Sequence, residues 1–319
     1  VRLTAKTDKV GHCILPTLPK PLSNEMPVRQ GLLPGVLGIA AFAFTLPFTR
    51  IAVLESNPLD VFVLRLLIAS SLAGLVLLVT RTPFPGRELW PQLSCVCVGV
   101  VFGFPLFTSL AMDSEASAHG GVVLGILPIA TAVMASIINQ ERPSAAFWLA
   151  AIVGCVLVVT FSVIGGADVG VSKGDIYLFL AIVLGSVGYA AGGGLSRLLP
   201  PWQVISWALA VCFPFGLILL ITVDFDGLIN SDSAPQLVGS LLYLGLISQY
   251  GGFLLWYRAL ALDGVARASQ IQLAQPFITL AAAWFLLGET IDLFTVVFAV
   301  LILMTIIVSR HTDIAQSNK

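Results

Sequence analysis

Charge is what this chain most conspicuously lacks. Asp, Glu, Lys and Arg make up 10% of its 319 residues, where a soluble domain carries roughly 25%. Too few charges are present to coat a water-facing surface, which excludes an ordinary soluble fold. The few charges are spread along the chain and sum to −1, so no basic patch exists to hold nucleic acid. No Asp or Glu lies deep within an apolar run, which argues against a buried carboxylate proton relay. A phosphate-binding glycine loop ending in Lys and Ser or Thr is missing, and with it that route to ATP hydrolysis. Histidine is rare: His12 and His311 lie in the tails and His119 at an apolar boundary. These three cannot converge on a metal or a nucleophile, so neither enzymatic chemistry nor any cofactor is expected. The five cysteines, Cys13, Cys95, Cys97, Cys155 and Cys212, lack companion ligands and read as small packing residues.

What is present is apolar sequence, at 57% of residues. It parses into ten runs: 31–53, 60–80, 91–111, 119–139, 144–164, 175–195, 203–223, 237–257, 266–287 and 291–309. Each is close to the roughly 20 residues a helix needs to cross the hydrocarbon. Lipid offers unpaired backbone groups no solvent, so helix is the expected form. The fold class expected is therefore an all-α polytopic membrane protein, with the lipid bilayer as its solvent.

Orientation follows from the basic residues. With the N-terminus inside, thirteen Lys and Arg fall on inner segments and Lys173 alone falls outside, with Arg50 and Arg65 inside spans. This predicts a multi-pass protein of the cell (inner) membrane with both termini cytoplasmic. Residues 1–30, with Pro16, Pro19, Pro21 and Pro27 among polar and basic residues, read as a disordered cytoplasmic tail, and Met26 is an alternative start. Residues 310–319 form a second tail.

The chain repeats itself. A shift of 148 lays Pro128 on Pro276, Ala111 on Ala259, Ala118 on Ala266 and Glu141 on Glu289 without a gap. Earlier in each half a shift of 143 lays Gly31 on Gly174 and Pro58 on Pro201. The units are 31–164 and 175–309. Five helices per unit is an odd number, so the second copy enters the membrane upside down. Inverted repeats of this kind place a substrate site at their interface near the midplane.

Two segments, ILPIATAVMASIINQERPS and LAQPFITLAAAWFLLGETID, resemble the paired Ala-rich, Glu-ended signatures of the drug/metabolite transporter superfamily, in its ten-helix EamA-type branch. PLDVFVLRLLIA, from Pro58 to Ala69, is similar to the second-helix motif of that branch. The resemblance covers residues 31–309 and implies an alternating-access carrier, commonly an exporter of amino acids, metabolites or drugs. It further implies a central site lined by helices one, three, four, six, eight and nine. Gln140 departs from the pattern, standing where the family usually has Gly before the first Glu.

Several residues are candidates for function. Pro128 and Pro276 stand about ten residues into their helices, roughly 15 Å deep at 1.5 Å per residue. Each removes a backbone bond, which suits a hinge. Ser269, Gln272 and Gln275 share one face of the ninth run, fit either for a cavity wall or for contact between helices. Arg65 is an intramembrane charge and hence a candidate for an outer gate or for attracting a substrate carboxylate. It could equally reach outward or pair with Glu55 or Asp60. Arg50 reads as reaching outward. Tyr189 and Tyr250 are candidate cavity residues. Trp256, Tyr257 and Arg258 read as anchors at the inner interface. His119 reads as solvated, and Glu141 and Glu289 as caps on the helix that follows each. The function expected is secondary transport of a small-molecule substrate, an amino-acid exporter being the narrower version. A monomer suffices for this reading. An intramembrane enzyme or sensor is the alternative of a different class.

Overall fold

A computed structural model describes residues 30–164, 172–225, 234–279, 281, 293–310 and 314–316. The expected N-terminal tail and the turn holding Glu289 lie outside the described residues. Among those described, seven helices are long and apolar enough to cross a membrane: α1 (Leu32–Glu55), α2 (Pro58–Thr80), α3 (Arg87–Ser114), α4 (His119–Ile138), α6 (Lys173–Leu195), α7 (Pro201–Thr222) and α8 (Ala234–Asp263). Between and after them run α5 (Ala145–Ile164), α9 (265–279) and α10 (Leu293–Arg310). The outward faces are apolar: Leu78 is 77% exposed and Ile221 86%. Such surfaces are stable only against hydrocarbon chains. The all-α membrane class expected from composition is the one observed.

Local chemistry sets the helix ends. Asn57 caps α2 by accepting from the Leu59 amide, and Pro58 occupies the first turn, where a missing N–H costs nothing. Ser172 opens α6 with a reciprocal cap to Asp175. Before α5 the chain turns through Gln140 at φ 55°, in the left-handed region that Gly prefers. The departure at Gln140 thus falls where the backbone asks for glycine. A two-stranded ribbon follows, in which β1 (Glu141–Pro143) pairs antiparallel with β2 (Ile314–Gln316). It ties the C-terminal segment back to the α4–α5 turn.

Among the described residues, five helices depart from regular geometry. In α1 the helix pauses at Phe44, because Pro47 has no N–H for the Ala43 carbonyl. Thr279 of α9 donates to that carbonyl instead, at 2.9 Å. α3 widens to a π-helical segment at Cys97–Gly103, and α8 does so at Tyr243–Gly252. Under the 148-residue shift the first segment falls on 245–251, inside the second. α4 tightens at Leu124–Ile126 and α9 at Gln270–Ala274, each immediately before its Pro128 or Pro276. The repeat is therefore written into the distortions of the helices as well as into their sequence. Equivalent helices also pack on each other, α2 against α7 and α4 against α9, as contacts across a two-fold axis must.

One boundary differs from expectation. α8 continues to Asp263 rather than stopping near Tyr257, a length of 30 residues or roughly 45 Å. Trp256 and Tyr257 are consequently core residues with no measurable exposure, and only Arg258 of that trio is exposed. Composition suggested an interfacial anchor; packing made the two aromatics part of the interior.

Candidate functional site

The centre of the bundle holds a small enclosed cavity. α1 contributes Phe42, Thr45 and Leu46 from either side of its pause. Arg65 comes from α2, Phe104 from α3, Leu124 from α4, Tyr189 from α6, Ser248 and Phe253 from α8, and Gln275 from α9. Its volume is about 10 Å³, room for about one water molecule. The helices that line it include those implied by the resemblance, and α2 joins them through Arg65.

Arg65 dominates the chemistry. It is 2% exposed, whereas its place in the sequence suggests the outer end of its helix with Asp60 or Glu55 in reach. Its Nε donates to Gln249 Oε1 at 3.1 Å and its Nη2 to Ser248 Oγ at 3.4 Å. Its Nη1 is buried without a partner. Among the described residues no carboxylate comes within ion-pair distance of it. A guanidinium stays protonated in proteins, so this is a buried positive charge held by neutral groups alone. Ser248 in turn shares a 2.7 Å hydrogen bond with Thr45, which brings α1 into the same polar chain.

Much of the rest of the cavity wall is aromatic. Phe42 lies parallel to Tyr189 at 6.4 Å between ring centroids and tilted against Phe253 at 4.9 Å. Tyr189 meets Phe253 and Trp256 edge-on, each at 5.8 Å. Such a wall accepts an apolar body through dispersion and ring-edge contacts, while Arg65 offers donors.

The residues singled out from sequence separate into two groups. Arg65, Tyr189 and Gln275 meet at the cavity. Gln272 is buried beside the Tyr189 phenol, and its amide closes no hydrogen bond. Tyr250 turns away and shares a 3.0 Å hydrogen bond with Ser206, and Ser269 donates to the Pro128 carbonyl at 3.2 Å. Both of these act between helices. Ser248 and Gln249 were overlooked, although a polar pair inside the apolar run of α8 carries the same signal as Gln272 and Gln275.

Polar contacts lie at both ends of the bundle. On the side holding the α3–α4 connection, Arg50 donates to the carbonyls of Met112 and, at 2.8 Å, of Asp113. It satisfies orphan carbonyls of α3 rather than reaching outward. His119, read as solvated, contacts Asp175 Oδ1 at 2.7 Å and lies 3.9 Å from Glu115. Ser172 bonds Glu115 at 2.5 Å. On the other side Glu141 is buried and caps α9 rather than α5, accepting from the amides of Val265 at 3.0 Å and Ala266 at 2.8 Å. It also pairs with Arg197 at 2.5 Å. The first repeat's turn therefore holds the first turn of a second-repeat helix.

A model of the EamA-like transporter family matches residues 29–163 and again 172–310. The chain belongs to the EamA-like transporter family. Among its relatives, the uncharacterized transporter YdeK of Bacillus subtilis is 40% identical over 285 residues, covering 88% of this chain and 97% of that protein. An uncharacterized transporter of Archaeoglobus fulgidus is 26% identical over 276 residues, covering 85% and 96%. A solved crystal structure shares the fold with a TM-score of 0.67 at 16% identity, over 88% of this chain and 98% of the other. EamA membership and these relatives make the protein a membrane transporter of small solutes.

Proposed function

We propose that this EamA protein is an alternating-access carrier that exports a small solute bearing a carboxylate, with amino acids the favoured class. The observation that carries the reading is the buried guanidinium of Arg65, a residue that lines the cavity, bounded by neutral partners and with one nitrogen unpaired. An isolated buried charge is costly, and an arriving carboxylate relieves that cost with charge-assisted hydrogen bonds. The aromatic wall of Phe42, Tyr189 and Phe253 then takes the apolar part of the solute, and Gln275 supplies an amide for a second polar group. Pro128 and Pro276 act as hinges while the two inverted units rock about the cavity. The basic-residue bias supports cytoplasmic termini and a place in the cell membrane, and the chain works as a monomer in this reading.

Uptake and counterflow in proteoliposomes, with amino acids set against sugars and cationic drugs, test it. Wild type is expected to move amino acids. Arg65→Gln should lose that transport by about a hundredfold in kcat/KM, and Arg65→Lys should retain part of it. Equal transport of amino acids by wild type and Arg65→Gln would sink the carboxylate reading.

A further inference from the structure

The polar chain around Arg65 does not end at Gln249. In the π segment of α3, the Phe104 amide reaches back to the Gly99 carbonyl, and the next residue, Pro105, has no amide to give. The Val100 carbonyl is therefore left without a partner in its own helix. Gln249 Nε2 donates to it at 2.9 Å, while Gln249 Oε1 accepts from Arg65 Nε. Gln249 itself is 1% exposed and sits in the π segment of α8. One amide thus has both ends committed, the first to a carbonyl that the π segment and Pro105 leave free, the second to the guanidinium.

Its place relative to the repeat is as telling. The 148-residue shift makes Val100 equivalent to Ser248 and Val101 equivalent to Gln249. A residue can touch the neighbour of its own equivalent only close to the axis relating the two units. The Gln249–Val100 bond lies beside that axis, and such a position stands in the same relation to both faces of the membrane.

We infer that Gln249 is the positioning residue of the carrier: it locks the Arg65 guanidinium on the pseudo-two-fold axis, with Nη1 presented to substrate from whichever side the cavity opens. This rests on the assignment of Arg65 as carboxylate anchor. The amide is required in both its halves. A shorter or apolar side chain frees Arg65 to turn, and a carboxylate at 249 would pair with it and cancel its charge.

The test compares Gln249→Met, which keeps length without hydrogen bonds, with Gln249→Glu. Transport of free amino acids and of their carboxamides, which lack the carboxylate, is measured in proteoliposomes for each. Gln249→Met should raise KM for amino acids about tenfold at nearly unchanged kcat. Gln249→Glu should lose at least about a hundredfold in kcat/KM, and carboxamide transport should be unaffected by either. Equal losses for acids and amides would overturn the inference in favour of a general packing role. A second readout needs no substrate: melting temperatures of Arg65→Met, Gln249→Met and the double variant. If Gln249 acts through Arg65, the double variant melts close to the worse single one; additive shifts would overturn the inference. Should the wild type move no amino acid, the carboxylate reading fails, and the melting cycle still decides whether Gln249 holds Arg65.

Discussion

At the scale of single residues, the structure turns on side chains whose backbone or burial is unusual for their type. Among the described residues, Gln140 is one of two non-glycine residues with positive φ, the other being Arg81 at a helix end. A left-handed conformation costs a residue with a Cβ about 1–2 kcal/mol. Part of this would be returned by glycine as greater freedom of the unfolded chain, about 0.5–1 kcal/mol. Gln140→Gly should therefore leave the detergent-solubilised protein as stable as wild type or up to about 1 kcal/mol more so. Gln140→Val should lower stability by more than about 1 kcal/mol, since a β-branched side chain fits that region worst. Thermal unfolding of the pair reads the difference, and a valine variant as stable as the glycine variant would mean that the turn relaxes without strain.

Arg65 teaches a different lesson at the same scale. Its distance from the helix end, counted along the sequence, could not reveal that it points to the centre rather than to the surface. Depth depends on how α2 packs against α7 and α8, which no local pattern records. Gln249 was legible in principle, since a buried amide in an apolar helix needs partners. In that stretch of sequence Tyr250 stands out, because its ring draws more notice than the shorter polar side chains before it.

At the scale of elements, the apolar runs gave the helices readily, because a span of that length has one solution in lipid. The 148-residue shift likewise anticipated which helices would share their shapes. What it could not supply was the kind of shape. A π segment changes which amide meets which carbonyl and leaves no mark in composition, so the widened stretches of α3 and α8 were invisible beforehand. α8 was cut short for a related reason: a Trp-Tyr-Arg sequence has the chemistry of an interface, and only tertiary packing put its aromatics inside. The proline positions were legible, and the short turns before Pro128 and Pro276 sit where each proline withholds its amide. Pro128→Ala and Pro276→Ala restore that amide and should regularise α4 and α9. The expected outcome is a folded protein of equal or higher melting temperature whose kcat for amino-acid exchange falls several-fold, with KM little changed. Unaltered kcat in both variants would remove the hinge role.

At the scale of the whole molecule, polar contacts join the two repeats at either end of the bundle. His119 and Glu115 of the first repeat meet Ser172 and Asp175 at the head of the second. At the other end Glu141 of the first repeat holds Arg197 and the first amides of α9. The two clusters lie at opposite ends of the bundle, since α4 starts at one and ends at the other. In a carrier that exposes one side at a time, weakening the contacts at either end shifts the population toward opening on that side and away from the other. Losing Glu141 strips a cap and a partly buried ion pair, about 2–4 kcal/mol allowing for the partial exposure of Arg197. That is enough to move a balanced equilibrium by more than tenfold. Losing His119 removes one close contact, to Asp175 at 2.7 Å, and a 3.9 Å approach to Glu115 but no helix cap, so its effect should be smaller, of the order of 1 kcal/mol.

The measurement is labelling of a cysteine placed at Thr45, in the cavity, by a membrane-impermeant thiol reagent applied from one side in vesicles, with the native cysteines replaced. Glu141→Ala should speed labelling from the side of the α4–α5 turn and slow it from the opposite side. His119→Ala should do the reverse. Reciprocity is the point of the test: a pore with two independent gates would show faster labelling from the weakened side and no change on the other. Opposite movements at the two faces would tie both sets of contacts to one equilibrium between the two repeats.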